Sequence, residues 1–363
     1  MDALLTGTGG ADGWPEPGCR CASCTRARSA GASRRPGRVI IDGTLEFRPG
    51  QPPATGTGPA AHRIEQIPGG WDVTGNDGGH LLLAAGPGQV PQPPPGAAPY
   101  DVALLDLLVS PARLGLLRSA GLVHARTAVA ALYTDHRISS PGELARRCEF
   151  WQACHPQDGQ LITGPAQPRA GGHGRPHRTL IIGGARSGKS TEAELRLSGE
   201  PRVTYLAAGP WPSWTGPDGE RDTEWAARVA RHRAGRPAFW ATVESLDISG
   251  WLRQETGALL IDGVGTWLAG IMDEAGLWRD QDDAGGGHPA VQIRAQIDDL
   301  IAAWRRTAAL VVAVTDEVGS GLVPVYPAGR VFRDELGWLN QRLTAESELT
   351  LQVIAGRPVA LPG

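Results

Sequence analysis

The sequence predicts an α/β protein whose C-terminal half is a parallel sheet with helices on both faces. Three observations carry this. Between 178 and 363 short apolar strand signals alternate with amphipathic helix signals, the pattern that buries a parallel sheet between two helical layers. A glycine-rich turn, GGARSGKS at 183–190, falls where one strand signal ends and a helix signal begins. Residues 164–177, GPAQPRAGGHGRPH, have many breakers and no apolar periodicity, so they read as a linker that sets this half (178–363) apart from an N-terminal domain, 1–163.

Each element has its own signal. Thr179 to Ile182 is a short apolar strand running into the glycine turn, and a helix starts at about Lys189. Val203 to Ala207 is a second strand, and 222–234 has helical apolar spacing. Ala258 to Ile261 is a buried strand ending in Asp262. The Gly/Asp-rich stretch 272–290 reads as loop, and 290–306 as helix. Leu310 to Thr315 is a strand, 329–345 a helix, and Leu349 to Ile354 a last strand. In the N-terminal domain, LLLAAGPG at 81–88 reads as strand and turn, and PGQVPQPPPGAAP at 87–99 as a surface loop. No repeat of fixed period is present.

Composition narrows the class. A chain of 363 residues, 41% hydrophobic, is long enough for two domains with sizeable cores. A net charge of −3 provides no bulk basic field for nucleic acid or anionic lipid. No apolar run approaches the roughly 18 residues of a membrane span, and Met1-Asp2-Ala3-Leu4-Leu5 lacks the basic start and long apolar stretch of a secretory signal. Five cysteines, an odd number, argue against a disulfide framework, so a cytoplasmic location is expected. Glycine (50) and proline (30) together make about a fifth of the chain, which implies much loop and turn. The basic residues are arginine with a single exception, Lys189.

That lysine marks the chemistry. Gly183, Gly188, Lys189 and Ser190 satisfy G-x-x-x-x-G-K-[ST] between a strand and a helix. The loop Gly183-Gly184-Ala185-Arg186-Ser187-Gly188-Lys189-Ser190 can curl backbone N–H groups around phosphate oxygens, with the helix N-terminus adding its positive dipole end. Lys189 supplies a compact charge to the β/γ-phosphates, where a long planar arginine does not fit, and Ser190 can ligate Mg²⁺. Asp262, at the carboxyl end of a buried strand, is either the acid that holds Mg²⁺ or a helix N-cap. In EWAARVARHRAGRPAFW, 224–240, His232 shares a helical stripe with Trp225 and Val229, and Arg233 and Arg236 follow it. On chemistry alone, His232 is either a surface histidine on a basic helix or a nucleophile toward phosphorus.

A resemblance separates these readings. TLIIGGARSGKS (179–190), VTYLAAG (203–209), E-W-A-A-R-V-x-x-H-x-x-G-R-P (224–237), W-x-T-x-E (240–244), LLIDGVGTWL (259–268), VTDEVGSGLVP (314–324) and RVFRDELGWLNQRL (330–343) run in one order through the C-terminal domain. Together they resemble the bifunctional adenosylcobinamide kinase / adenosylcobinamide-phosphate guanylyltransferases, whose fold is a RecA-like P-loop domain. The resemblance implies two transfers. ATP or GTP phosphorylates the aminopropanol hydroxyl of adenosylcobinamide. A histidine then takes GMP from GTP, releasing pyrophosphate, and passes it on to give adenosylcobinamide-GDP. It implies that His232 is the guanylylated residue, with Lys189 the other catalytic residue. It implies that Ala207, Ala208, Gly209, Arg233, Ala234, Gly235, Arg236 and Glu244 contact nucleotide, and that the enzyme is a homo-oligomer such as a trimer. Glu244 is either a guanine reader, accepting from the N1–H and N2–H edge, or a solvated acid. The chain departs from the family at 210–221, which is longer and richer in proline, and at Ala208, where a hydroxyl is common.

The N-terminal domain resembles the metallo-β-lactamase-like hydrolases, through GTGGADGWPEPGCRCASCTRAR (7–28) and LLLAAGPG (81–88). Their H-x-H-x-D-H motif aligns with Ala-Leu-Tyr-Thr-Asp-His at 131–136, where Ala131 and Tyr133 lack imidazole. A two-metal hydrolase needs those ligands, so a degenerate, non-catalytic αβ domain is expected. Cys19, Cys21 and Cys24 form C-x-C-x-x-C; they either hold structural Zn²⁺ with a fourth ligand drawn from His136, Cys148, Cys154 and His155, or stay reduced and unliganded. Two further readings of the whole chain stand beside the bifunctional enzyme: a P-loop small-molecule kinase without nucleotidyl transfer, and a non-enzymatic nucleotide-dependent binding module.

Overall fold

The computed structural model of the chain describes residues 1–55, 62–85, 91–92, 96–108, 110–166, 175–209, 227, 230, 236–277 and 289–362. It divides into two compact units, Met1–Gly172 with Ser198–Pro201, and His173–Leu197 with Arg202–Gly363.

The first unit runs β1 (Asp2–Gly7), α1 (Ala22–Ser29), β2 (Arg38–Ile41), β3 (Leu45–Phe47), β4 (Ala54–Thr55), β5 (His62–Ile67), β6 (Gly70–Gly75), β7 (His80–Ala84), β8 (Val102–Leu105), α2 (Ala112–Ser119), β9 (Ala128–Ala131), α3 (Pro141–Trp151) and β10 (Gln160–Thr163). One sheet has the order β10-β1-β2-β3-β4 and the other β5-β6-β7-β8-β9. The first is antiparallel, and in the second β7, β8 and β9 are parallel. Alternate residues of both sheets, among them Leu5, Ile41 and Phe47 on one and Leu81, Leu83 and Leu104 on the other, form one shared core. Every residue of β8 is buried, as expected of a strand covered on both faces. Ser140 caps α3 by accepting from the N–H of Glu143, and Pro141 follows at the helix start, where its missing N–H costs nothing. The buried carboxylate of Asp72 is satisfied by the Tyr100 hydroxyl and by His80, both at 2.8 Å.

The second unit runs β11 (Arg178–Gly183), α4 (Lys189–Leu197), β12 (Val203–Ala207), β13 (Ala241–Glu244), α5 (Ile248–Gln254), β14 (Ala258–Asp262), α6 (Val264–Glu274), α7 (Pro289–Arg306), β15 (Leu310–Asp316), α8 (Pro327–Ala345), β16 (Leu349–Ile354) and β17 (Arg357–Ala360). Its sheet has the order β13-β12-β14-β15-β11-β16-β17, parallel except for β17. Leu180, Leu206, Leu259 and Val311 face a core completed by α5, α6, α7 and α8, while Ile181, Tyr205, Leu260 and Val312 face the other side with Ala193 and Leu197 of α4. This is the α/β unit with helices on both faces that the alternation of signals predicts.

One expectation is adjusted. The loop expected over 272–290 is shorter, because α6 continues to Glu274 around the fully buried Met272 and α7 begins at Pro289. Residues 222–234 lie outside the described residues except Ala227 and Ala230, both helical, and 210–221 lie outside entirely. Among the described residues of 87–99, none belongs to a strand or helix. No helix among the described residues is long and apolar enough to cross a membrane.

Candidate active site

The site of the second unit grows from the carboxyl ends of its parallel strands, where ligands bind in open α/β sheets. β11 ends at Gly183, and the chain turns through Gly184 to Gly188 into α4. Gly188 has φ 98°, and a Cβ there would stand 3.2 Å from the Gly356 Cα, so both backbone conformation and space demand glycine. Arg186 also takes a left-handed conformation, φ 56°. The turn is pinned from outside: Gly356 N–H donates to the Ser187 carbonyl at 2.7 Å, and Glu317 N–H to the Gly183 carbonyl at 3.2 Å. The buried Ser187 hydroxyl has no hydrogen-bond partner among the described residues.

Lys189, buried at the first turn of α4, donates to the Gly184 carbonyl at 3.2 Å and pairs with Asp316 Oδ1 at 2.9 Å. Asp316 ends β15, the strand beside β11, and its own carbonyl accepts from Asn340 Nδ2 of α8 at 3.0 Å. The next residue of the helix, Ser190, donates to Asp262 Oδ1 at 3.4 Å. Asp262 does not cap α6: Gly263 occupies the N-cap position, and the Asp262 carboxylate also accepts a short hydrogen bond from the Tyr205 hydroxyl. Ser190 and Asp262 thus form an oxygen pair suited to a hard cation such as Mg²⁺.

Strand register aligns the remaining residues. Ala207 lies opposite Asp262 on one side and Glu244 on the other, so the ends of β13, β12 and β14 form one row. Ala208 N–H donates to the Asp262 carbonyl at 3.1 Å, and the Thr266 hydroxyl to the Ala208 carbonyl at 2.8 Å, which fixes the turn to Gly209. The Arg236 guanidinium stacks on the Tyr205 ring, 3.2 Å from its centroid, with Nε and Nη1 buried and no acceptor for either among the described residues. Burial and the nearby Asp262 carboxylate push the Glu194 carboxyl of α4 up to about 7, against the pull of Arg236. A cleft of about 470 Å³ lies between Arg236, Pro237, Ala238, Trp240, Thr242 and Glu244, and the buried Trp240 indole N–H has no partner among the described residues.

The structure therefore brings Gly183 through Ser190, Asp262, Ala207, Ala208, Gly209, Arg236 and Glu244 to one end of the sheet. His232, Arg233, Ala234 and Gly235 lie outside the described residues. Sequence reasoning missed Asp316, Tyr205 and Glu194. Asp316 had a signal: like Asp262, it is an acid closing an apolar strand, inside a motif already singled out.

A second constellation lies in the first unit. The sulfurs of Cys19 and Cys24 and a ring nitrogen of His136 lie within 4.8 Å of one another. Cys21 Sγ accepts from the Cys24 N–H at 3.4 Å, and His136 Nδ1 meets Glu16 Oε2 at 2.5 Å. Of the four residues expected to complete a cysteine site, His136 is the one that joins the cysteines. Cys154 accepts from Gln160 Nε2 at 3.5 Å, His155 meets the Thr134 hydroxyl at 3.3 Å, and Cys148 is buried in α3. Ala131 closes β9, Tyr133 is buried at φ 59°, and Asp135 pairs with Arg137.

Residues 179–361 match the family model described as cobinamide kinase / cobinamide phosphate guanyltransferase. The bifunctional adenosylcobalamin biosynthesis protein CobU of Salmonella typhimurium is 35% identical over 186 residues, covering 49% of this chain and 95% of that protein. The Escherichia coli protein of the same name is 35% identical over 181 residues, 49% of this chain and 95% of its own. The Pseudomonas aeruginosa bifunctional adenosylcobalamin biosynthesis protein CobP is 35% identical over 192 residues, 51% of this chain and 98% of its own.

Proposed function

The chain belongs to the cobinamide kinase / cobinamide phosphate guanyltransferase family, and from that membership we propose which of its residues carry the two transfers. It is a bifunctional enzyme of adenosylcobalamin biosynthesis, phosphorylating adenosylcobinamide and then transferring GMP from GTP to the product. The observation that carries the assignment is the convergence of Lys189, Ser190 and Asp262 at one end of the sheet, beside a glycine turn whose buried Ser187 hydroxyl has no partner among the described residues.

In the kinase step the loop amides of 183–190 and the Lys189 ammonium hold the β/γ-phosphates of ATP or GTP while the acceptor hydroxyl attacks the γ-phosphorus and the bond to the leaving diphosphate breaks. Ser190 and Asp262 would hold Mg²⁺, which would supply neutralisation of phosphate charge. In the guanylyl step the neutral imidazole of His232 attacks the α-phosphorus of GTP, and the bond to pyrophosphate breaks. The terminal phosphate of the phosphorylated corrinoid then takes GMP from the histidine. Arg236 supplies two buried donors to nucleotide phosphate, with Arg233 and the backbone of Ala234 and Gly235 beside it in sequence. Glu244, in the cleft with Trp240, reads the guanine N1–H and N2–H edge, and the Ala207-Ala208-Gly209 turn packs against the nucleotide.

The N-terminal domain, 1–163, is a degenerate metallo-β-lactamase-like domain, followed by a linker at 164–177. Two sheets around one core support that reading, together with alanine and a buried tyrosine at the two leading positions of the metal motif. Cys19, Cys24 and His136 would hold Zn²⁺ there, with Cys21, next to Cys24, completing a soft S₃N donor set of the kind zinc takes. The Glu16 carboxylate meets the imidazole at Nδ1 and would orient it as a ligand through Nε2. The enzyme acts in the cytoplasm as a homo-oligomer.

The test is incubation of the purified chain with Mg²⁺ and [α-³²P]GTP, comparing wild type with His232→Ala, alongside phosphorylation of adenosylcobinamide. An acid-labile label absent from the variant is expected. Phosphorylation without any label leaves a P-loop kinase lacking nucleotidyl transfer; neither activity in a folded, GTP-binding protein leaves a nucleotide-dependent binding module.

A further inference from the structure

The segment after β15 joins the phosphate site to the most exposed apolar surface among the described residues. Between Glu317 and Arg330 the sequence has no charged residue. Within it Leu322 is 96% exposed, Val325 85%, Tyr326 78% and Val323 63%. Isolated exposed apolar residues need no explanation, but four within five positions form a patch that marks a binding surface.

The patch is held in place rather than left loose. Glu317 Oε1 accepts from the N–H groups of Gly319 at 2.7 Å and Ser320 at 3.1 Å, tying the loop's base. Arg330 Nη1 donates to the carbonyls of Pro324 at 3.1 Å and Val325 at 2.6 Å, tying its far end from the first turns of α8. The charged residues at the two ends are spent on the loop's own backbone, and the apolar side chains are what remains for a ligand. A backbone already ordered loses less entropy when a ligand covers it.

The base of this loop is the phosphate site itself. Glu317 N–H bonds the Gly183 carbonyl, and Asp316, one residue earlier, pairs with Lys189. Six residues of extended chain span at most about 20 Å, so Leu322 lies within that distance of the carboxylate that meets Lys189. In the kinase step the acceptor's hydroxyl must sit at the γ-phosphate, and the rest of the acceptor, a methyl-studded corrin macrocycle with uncharged amide arms, must lie outward from it. Resting on the kinase reading of Lys189, we infer that Leu322, Val323, Val325 and Tyr326 form the surface that receives the corrin macrocycle. An uncharged apolar loop matches the methyl groups and the lack of charge of that ligand, and its base is the site where the hydroxyl reacts.

The test is the double variant Leu322→Ser with Val325→Ser, assayed for phosphorylation of adenosylcobinamide at varied corrinoid and varied triphosphate. Uncovering two apolar side chains predicts a rise of about tenfold or more in the KM for adenosylcobinamide. The KM for triphosphate and the GTP labelling of the chain stay within about twofold, and Leu322→Met retains most of the corrinoid affinity. An unchanged corrinoid KM overturns the inference. So does an unchanged KM accompanied by a smaller assembly in sedimentation, which makes the patch a contact between copies. Loss of GTP labelling in parallel overturns it too, by placing the loop in the nucleotide site. If the wild type itself does not phosphorylate adenosylcobinamide, the kinase reading fails and this one with it; if it does and the variant equals it, only this one fails.

Discussion

Replacing Arg236 by methionine should make the free protein more stable and the enzyme worse at binding GTP. The guanidinium lies flat on the Tyr205 ring with Nε and Nη1 buried and without acceptors among the described residues. A buried donor left unmade costs about 1–3 kcal/mol. Stacking on an aromatic face returns about 1–2 kcal/mol in a desolvated setting. Two such donors against one stack leave Arg236 a net cost of about 1 kcal/mol or more to the free fold. Methionine keeps an apolar stem and a polarisable sulfur against the ring and brings no donor. Urea unfolding without nucleotide should therefore show Arg236→Met more stable than wild type by about 1 kcal/mol. Titration calorimetry should show GTP binding weakened about 10- to 100-fold, the worth of a charge-assisted hydrogen bond to phosphate. Arg236→Lys should not restore affinity, because an ammonium offers neither the planar stack nor the fork. A variant less stable than wild type that binds GTP equally well would refute this account, and would make Arg236 a structural residue.

Other consequences follow from single contacts. Lys189→Arg should cut cobinamide phosphorylation by about 10²–10³-fold with little change in melting temperature, since a planar guanidinium cannot replace a compact charge held between Gly184 and Asp316; steady-state kinetics beside a thermal melt decides it. The chain purified in zinc-containing medium should carry about one zinc per polypeptide. Cys24→Ser should lose that metal and the stability of the first unit, while GTP labelling persists; metal analysis with a zinc content equal to wild type would remove the site. Burial, then the charge of Arg34, lowers His155 from 6.5 to about 4, so the folded state stays neutral at pH values where the unfolded chain takes up a proton. Stability is then complete above pH 6.5 and falls as pH drops toward 4, by about 1–2 kcal/mol at pH 5 after solvent screening. His155→Gln should flatten this slope in urea unfolding series at pH 7 and pH 5.

The sequence was most legible where function and local structure coincide. GGARSGKS placed a strand end, a turn and a helix start at once, and the strands ending at Ala207 and Asp262 were visible as apolar runs closed by a change of chemistry. What it could not supply is neighbourhood. Lys189 finds its carboxylate on β15 because the sheet order sets β15 between β11 and β14, and spacing along the chain does not encode that order. Tyr205 reads as one more apolar strand residue until β12 and β14 pair and aim its hydroxyl at Asp262. The cysteines announced themselves through their closeness, whereas His136 reaches them from far along the chain after β9. Elements as short as β4, of two residues, and α5, of seven, fall below the length at which periodicity distinguishes them from loop.

Asp316 gives the site its logic. A buried ammonium without a partner is costly, and Lys189 meets that cost with one carboxylate and one carbonyl. Incoming phosphates offer the same lysine a denser negative charge, and their arrival next to Asp316 sets two anions against each other. On the phosphate role proposed for Lys189, the lysine would exchange Asp316 for phosphate at the base of the segment that Asp316 begins. That segment is tied to the loop through Glu317 and to α8 through Asn340 and Arg330, and it bears the apolar patch. On the two assignments proposed above, triphosphate and corrinoid would act on the two ends of one short stretch of chain. Asp316→Asn, which keeps the shape and removes the charge, should bind triphosphate more tightly, because Lys189 is released from its internal partner. The same variant should be less stable without nucleotide by about 1–3 kcal/mol, the cost of leaving a buried charge with a neutral partner. Equal triphosphate affinity in wild type and variant, measured by calorimetry, would show that the pair does not compete with phosphate.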